Sequence, residues 1–89
     1  MVRVSFTANL QRHLSAPSCD VAAATVRQAL EAVFAQNERL RGYILDEQGA
    51  VRKHMVVFVN GQPMHDRERL SDAVADGAEI FVMQALSGG

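Results

Sequence analysis

Met55-Val56-Val57-Phe58-Val59-Asn60-Gly61-Gln62-Pro63-Met64 is the stretch from which the fold can be read. Its first half is a dense β-branched and aromatic run and predicts a central, well-buried strand over residues 55–59. Asn60-Gly61 suits the two positive φ angles of a type I′ turn, so the chain should reverse there into a short return strand over residues 62–64. Pro63 cannot donate to an inner ladder and assigns that return strand to an edge.

Beyond this hairpin, Leu70, Ala73 and Val74 support at most one helical turn, Asp76-Gly77 is a turn signal, and Glu79 to Gln84 reads as a last strand. Upstream, Asp46-Glu47-Gln48-Gly49 is a turn by composition. Before it, Val26, Ala29, Leu30, Val33 and Phe34 recur at helical spacing, while Arg27, Gln28, Glu31 and Gln36 fall on the other side. Thr25 and Gln28 form a capping-box pattern: the hydroxyl accepts an orphan backbone N–H and the amide reaches back to the cap. Asn37 and Gly42 are candidate stop signals. At the start of the chain, Val2, Val4 and Phe6 alternate with Arg3, Ser5 and Thr7, the period of a strand. Residues 8–24 are less periodic and carry Pro17; they read as a loop and then a weaker strand near Ser18 to Ala22.

The order is strand, strand, helix, strand, short strand, strand, an α+β layout in which a single long helix covers one face of the sheet. With the first and last strands side by side in the middle, that helix would shield Val2, Val4, Phe6, Val57, Val59, Ile80 and Val82.

Composition narrows the function. Eighty-nine residues with 48% hydrophobic and 21% charged side chains make one ordinary globular domain. Nine Lys and Arg are matched by ten Asp and Glu and spread along the chain, so there is no basic stripe and nucleic acid is not expected as the main partner. Met1 to Leu14 has no signal-like apolar stretch, and no run reaches the roughly 18 apolar residues that suggest a membrane span. A single cysteine, Cys19, excludes an internal disulfide framework and a cysteine-based zinc site, and fits a reducing, cytoplasmic setting.

Cys19 with His13, His54 or His65 would supply a nucleophile and base on paper, but no motif brings them together. An inert cysteine is the favoured reading, because free cysteine is among the most buried residue types. The histidines lack zinc spacing, and His65-Asp66 falls in a loop, so surface histidine is preferred to metal ligand. No glycine-rich phosphate loop is present. The sequence therefore points to no intrinsic catalytic residue, no metal and no bound cofactor.

Leu86-Ser87-Gly88-Gly89 follows the last strand. At ordinary glycine frequency a terminal glycine pair arises by chance in roughly 0.5% of chains, so the pair is informative. It is either a frayed end or a backbone able to thread a narrow partner channel that any side chain would block. The expected organisation is a domain over residues 1–85 and a flexible tail over residues 86–89.

Thr25-Val26 opening the helix, Leu40-Arg41 after it, Val57-Phe58-Val59-Asn60-Gly61, Asp76-Gly77-Ala78-Glu79-Ile80 and Gly88-Gly89 occur in an order and spacing that resemble the MoaD/ThiS sulfur carriers, ubiquitin-like proteins of the β-grasp fold. The resemblance covers nearly the whole chain. It departs at Gln84-Ala85, where the family often has proline, which bears on partner choice and not on the chemistry. It implies a mixed four- to five-stranded sheet covered by one main helix, and a carrier with no catalysis of its own. Gly89 would be adenylated by an E1-like adenylyltransferase that uses ATP and magnesium, then converted to a thiocarboxylate with sulfur from a donor protein. A sulfur-accepting synthase would receive the sulfur. Gly88 would give access. Leu86 and Ser87, with Phe81 and Met83, would contact the partner; the alternative for Phe81 and Met83 is packing under a loop. Arg39, Arg41 and Arg52 either steer an acidic partner or are solvated surface, the latter favoured. The segment from Leu40 to Gly61 is long for a thiamin carrier and closer to the molybdopterin and cysteine types. The rival readings are a protein modifier joined to lysines through Gly89 and a passive β-grasp interaction domain.

Overall fold

The alternation of Val2, Val4 and Phe6 with Arg3 and Ser5 is realised in full along β1 (Val2–Phe6), whose three apolar side chains are at most 2% exposed. In this computed structural model, which describes residues 1–8, 10–11 and 17–84, the remaining strands are β2 (Cys19–Val21), β3 (Met55–Val59), β4 (Gln62–Pro63) and β5 (Glu79–Gln84). They form one mixed sheet in the order β2-β1-β5-β3-β4. β1 and β5 run parallel side by side, as expected, and the other neighbours are antiparallel. β4 is the edge that Pro63 indicated.

The hairpin between β3 and β4 turns through Asn60 at φ 51° and Gly61 at φ 83°, the signature of the type I′ turn. Asn60 also ties this turn sideways to β5. Its N–H donates to the Glu79 carbonyl at 2.8 Å, and its Oδ1 accepts the Glu79 N–H at 3.0 Å.

Helix α1 (Val26–Gln36) buries Val26, Ala29, Leu30, Val33 and Phe34 against the sheet. Its start satisfies each orphan donor in turn. The N–H groups of Val26 and Arg27 donate to the carbonyls of Asp72 and Leu70, that of Gln28 to Thr25 Oγ1 at 3.2 Å, and that of Ala29 to the Thr25 carbonyl. The reciprocal arm of the capping box lands one residue early, since Gln28 Oε1 accepts from Ala24 and not from Thr25.

Three expectations are corrected. The chain does not carry a single helix: Asn37 ends α1, its N–H donating to Val33 and Phe34, and a second, seven-residue helix α2 (Glu38–Ile44) follows at once. Gly42 lies inside α2 and stops nothing. Interior glycine costs about 1 kcal/mol, and burial of Leu40 and Ile44, one turn apart and at most 1% exposed, outweighs it. Finally, β3 is neither central nor buried on both sides. β5 occupies the middle; Met55 and Val57 enter the core, whereas Val56 and Phe58 are half-buried on the opposite face.

Arginine guanidinium groups hold the connecting segments. Arg27 donates through Nε to the Arg69 carbonyl and through a terminal nitrogen to the Gly49 carbonyl, both at 2.8 Å, and pairs with Glu31 at 3.2 Å. Arg67 donates to the carbonyls of Arg52 and Met55 at 2.7 Å each. Leu70 is fully buried with φ 56°, in the left-handed region, while its carbonyl serves the start of α1.

Candidate functional site

Both helices pack on one face of the sheet, and the register of the strands determines what stands on the other. Ser5, Phe81, Phe58 and Pro63 form one row across β1, β5, β3 and β4. Met83 and Val56 form the next row, toward the end of β5. At the opposite end, Asp20, Arg3 and Glu79 make a charged row, with Arg3 and Asp20 paired at 3.4 Å. The open face is thus graded, polar where β5 begins and apolar where it ends.

Phe81 is 39% exposed, and Met83, Val56 and Phe58 are half-buried. Phe81 is thus exposed, whereas the partial burial of Met83 favours neither of the two alternatives. Contiguous apolar side chains on an uncovered sheet face are suited to docking a protein, since contact removes aromatic and thioether surface from water without disturbing the core. Leu86, Ser87, Gly88 and Gly89 lie outside the described residues. What the structure places is the root they follow from, Gln84 at the end of β5, paired with Met55.

Val56 and Phe58 escaped the sequence reading as surface residues. Their strand is apolar on both faces, so no alternation marks the outward pair; the strand register relative to Phe81 would have found them.

The other candidates do not converge. Cys19 sits half-buried on β2, and burial, followed by the Asp20 carboxylate, pushes its thiol above its ordinary value, with partial relief from Arg3. That shift keeps sulfur protonated, the reverse of an activated nucleophile. His54 and His65 stand exposed in separate turns, and His13 lies outside the described residues. Among the described residues no three His, Cys, Asp or Glu side chains gather as a metal site, and no helix is long and apolar enough to cross a membrane. Asp66 and Asp72 are held below the ordinary carboxylate value, Asp66 by the Ser71 hydroxyl and the Arg69 N–H, Asp72 by the His65 N–H. Both organise the backbone of their own loop. Two of the three candidate steering arginines are engaged internally. Arg41 pairs with Glu31 and lies 5.1 Å from the Phe34 ring centroid, and Arg52 donates to the Gly42 carbonyl at 2.8 Å. A shallow cleft of about 480 Å³ beside α2, lined by Glu38, Arg41, Asp46 and Arg52 among others, mixes both charges.

The ThiS family model matches residues 7–89 of the chain. Among solved structures, SAMP1 from Haloferax volcanii is similar at 25% identity and TM-score 0.82, covering 99% of this chain and 98% of that chain. A chain of the Amycolatopsis orientalis BexX/CysO complex is similar at 22% identity and TM-score 0.84, with both chains covered completely. A chain of the complex of subunits 1 and 2 of molybdopterin-converting factor from Helicobacter pylori is similar at 17% identity and TM-score 0.64, covering 99% of this chain and 97% of that chain. The latter two likenesses are of fold. No protein of curated function matches.

Proposed function

The chain belongs to the ThiS family, ubiquitin-like carriers of the β-grasp fold, and on that premise we propose that its working group is the carboxyl of Gly89. An ionised carboxylate is a poor acyl donor because oxide does not leave. An E1-like adenylyltransferase, using ATP and magnesium, converts it to an acyl-adenylate. A persulfide sulfur from a donor protein then attacks the carbonyl carbon and displaces AMP, and a second thiol cleaves the resulting acyl disulfide, leaving a terminal thiocarboxylate and a new disulfide on the donor. This sulfur is anionic and polarisable, a nucleophile toward an electrophilic acceptor. The acceptor belongs to a synthase of cofactor or metabolite biosynthesis, of molybdopterin or cysteine type before thiamin type. A cytoplasmic location accompanies this reading, in keeping with a lone reduced cysteine.

The observation that carries the proposal is the course of β5. The strand that displays Phe81 and Met83 on the open face leads directly into residues 85–89, so a partner docked on that face is adjacent to the tail root. Leu86 and Ser87 extend the contact and Gly88 lets the backbone enter a narrow channel. Two of the similar structures are of protein complexes, consistent with a small subunit that acts with partner enzymes.

A second reading, a protein modifier joined to lysine amines through Gly89, draws on the similarity to SAMP1, described for the same organism as a small archaeal modifier protein. The test is intact mass after incubation with ATP, magnesium, a sulfur source and the E1-like enzyme. Replacement of one oxygen by sulfur adds about 16 Da, and fragmentation must locate it on Gly89, because methionine oxidation adds nearly the same mass. Higher-mass conjugates in place of this product support the modifier. Full function after deletion of Gly88 and Gly89 would leave only a passive interaction domain.

A further inference from the structure

Gly42 lies in the interior of α2, two residues from both Leu40 and Ile44 and hence on the side of the helix away from the core, where it is exposed. It does not take the positive φ of Gly49, Gly61 and Gly77, and a Cβ built on it would meet no heavy atom within 4 Å. Neither backbone conformation nor packing among the described residues requires glycine here, although glycine weakens a helix interior. What the missing side chain leaves is room for a foreign backbone to lie against the helix.

The surroundings of Gly42 are those of a binding groove. It lines the cleft of about 480 Å³ beside α2, and a second cleft of about 450 Å³, over Phe34 and Ala35, shares Glu38 and Arg41 with the first. The two form one elongated groove, a shape for an extended chain. In its wall, Arg52 Nε donates to the Gly42 carbonyl at 2.8 Å, which leaves the terminal nitrogens of Arg52 as donors with no partner among the described residues. Arg41 is answered by Glu31, and the Asp46 carboxylate accepts the Gln48 and Ala50 N–H groups. Glu38 and Glu47 are exposed and in no ion pair among the described residues. The groove thus offers two unanswered carboxylates and one fixed guanidinium. It is also near the end of β5: Arg52 and Met55 close a tight turn whose end carbonyls both accept from Arg67, and Met55 is the register partner of Gln84. Antiparallel Cα partners stand about 4.5–5.5 Å apart and the ends of a tight turn less than about 7 Å apart, so Arg52 is within about 12 Å of Gln84 along the backbone.

We propose that this groove docks an extended segment of the E1-like activating enzyme. The backbone of that segment crosses Gly42, one of its carbonyls accepts from the terminal N–H groups of Arg52, and a basic side chain meets Glu38 and Glu47. The inference rests on the reading that such an enzyme acts on this chain. It adds to the open sheet face a second contact on the helix side, so that the enzyme grips the domain from both sides of the sheet. Charge complementarity selects the segment, and the glycine sets how closely it approaches.

The test is calorimetric titration of the full chain with the E1-like enzyme of its own organism, with urea melts on the same samples. Gly42→Ala should raise the urea midpoint, as helix propensity dictates, and yet weaken binding about tenfold, the scale of one lost close contact. Gly42→Gln should also raise the midpoint and weaken binding further. A glycine of purely structural role would move the midpoint and leave the affinity alone. Glu38→Gln should weaken binding severalfold, by an amount that shrinks as salt is added. Undiminished affinity of both Gly42 variants, or a wild-type chain that the enzyme does not bind, overturns the proposal. ATP–pyrophosphate exchange reports separately on adenylation of Gly89. Exchange with no effect at Gly42 removes the groove alone, and an effect at Gly42 with no exchange removes the reading of Gly89 alone.

Discussion

Phe81 on β5 stands directly opposite Phe58 on β3, on the sheet face that neither helix covers. One residue away, Ile80 points the other way into the core and is fully buried. Adjacent positions on one strand thus separate the proposed docking surface from the core.

Truncating the two should have opposite effects. Ile80→Ala is expected to cost about 2–5 kcal/mol of stability, whereas Phe81→Thr, which keeps a β-branched residue, costs about 1 kcal/mol or less. For binding to the activating enzyme, Phe81→Thr is expected to lose about 2 kcal/mol, the scale of an aromatic hot spot. Denaturant melts and titration calorimetry on the same samples check both; undiminished affinity of the Phe81 variant would remove the open face from the docking surface.

Asn60 combines a left-handed backbone with two hydrogen bonds to Glu79. Asn60→Ala loses the side-chain bond and must hold φ 51° with an unsuited residue, an expected loss of about 1–3 kcal/mol. Asn60→Gly keeps the backbone angle and loses only the side-chain bond, so it should fall between wild type and alanine in urea midpoint.

Arg27 links α1 to two separate loops through the Arg69 and Gly49 carbonyls. Arg27→Ala is expected to cost about 1–3 kcal/mol, and Arg27→Lys should recover only part, because an ammonium lacks the fork that reaches both acceptors. Hydrogen exchange should quicken in residues 46–50 and 64–72 together, a coupling that a merely local role for Arg27 would not produce.

The acid limb of stability should involve Asp66 and Asp72. Both carboxyls lie below their ordinary 3.8, Asp66 through the Ser71 hydroxyl and the Arg69 and Glu68 N–H groups, Asp72 through the His65 and Asp66 N–H groups. A depressed folded value means that the contribution is whole above the unfolded value and is lost as pH falls through the folded one. Stability should therefore decline as pH drops below 3.8. Asp66→Asn and Asp72→Asn should flatten that decline; unchanged slopes in denaturant midpoint against pH would exclude these two residues as its source.

The legible parts of the fold are those where one physical signal dominates. β1 alternates cleanly, α1 has a full apolar stripe and a capped start, and Asn60-Gly61 admits one turn type. Helix α2 was hidden because Leu40 and Ile44 are its only buried pair and Gly42 argues against a helix; tertiary burial decides it. The segment from His65 to Asp72 has no periodicity at all, since its order comes from two carboxylates gathering backbone N–H groups. At the candidate site, Phe81 and Met83 were visible by alternation with Ile80 and Val82, whereas Val56 and Phe58 needed the strand register.

β5 is the central strand and follows every other strand of the sheet along the chain, while its parallel neighbour β1 precedes them. A nascent chain that has not yet delivered residues 79–84 has no middle to its sheet, and β1 with β2 cannot join β3 with β4. The sheet therefore closes only once β5 has been synthesised. The same strand bears Phe81 and Met83, so the face they stand on is assembled only together with the middle of the sheet.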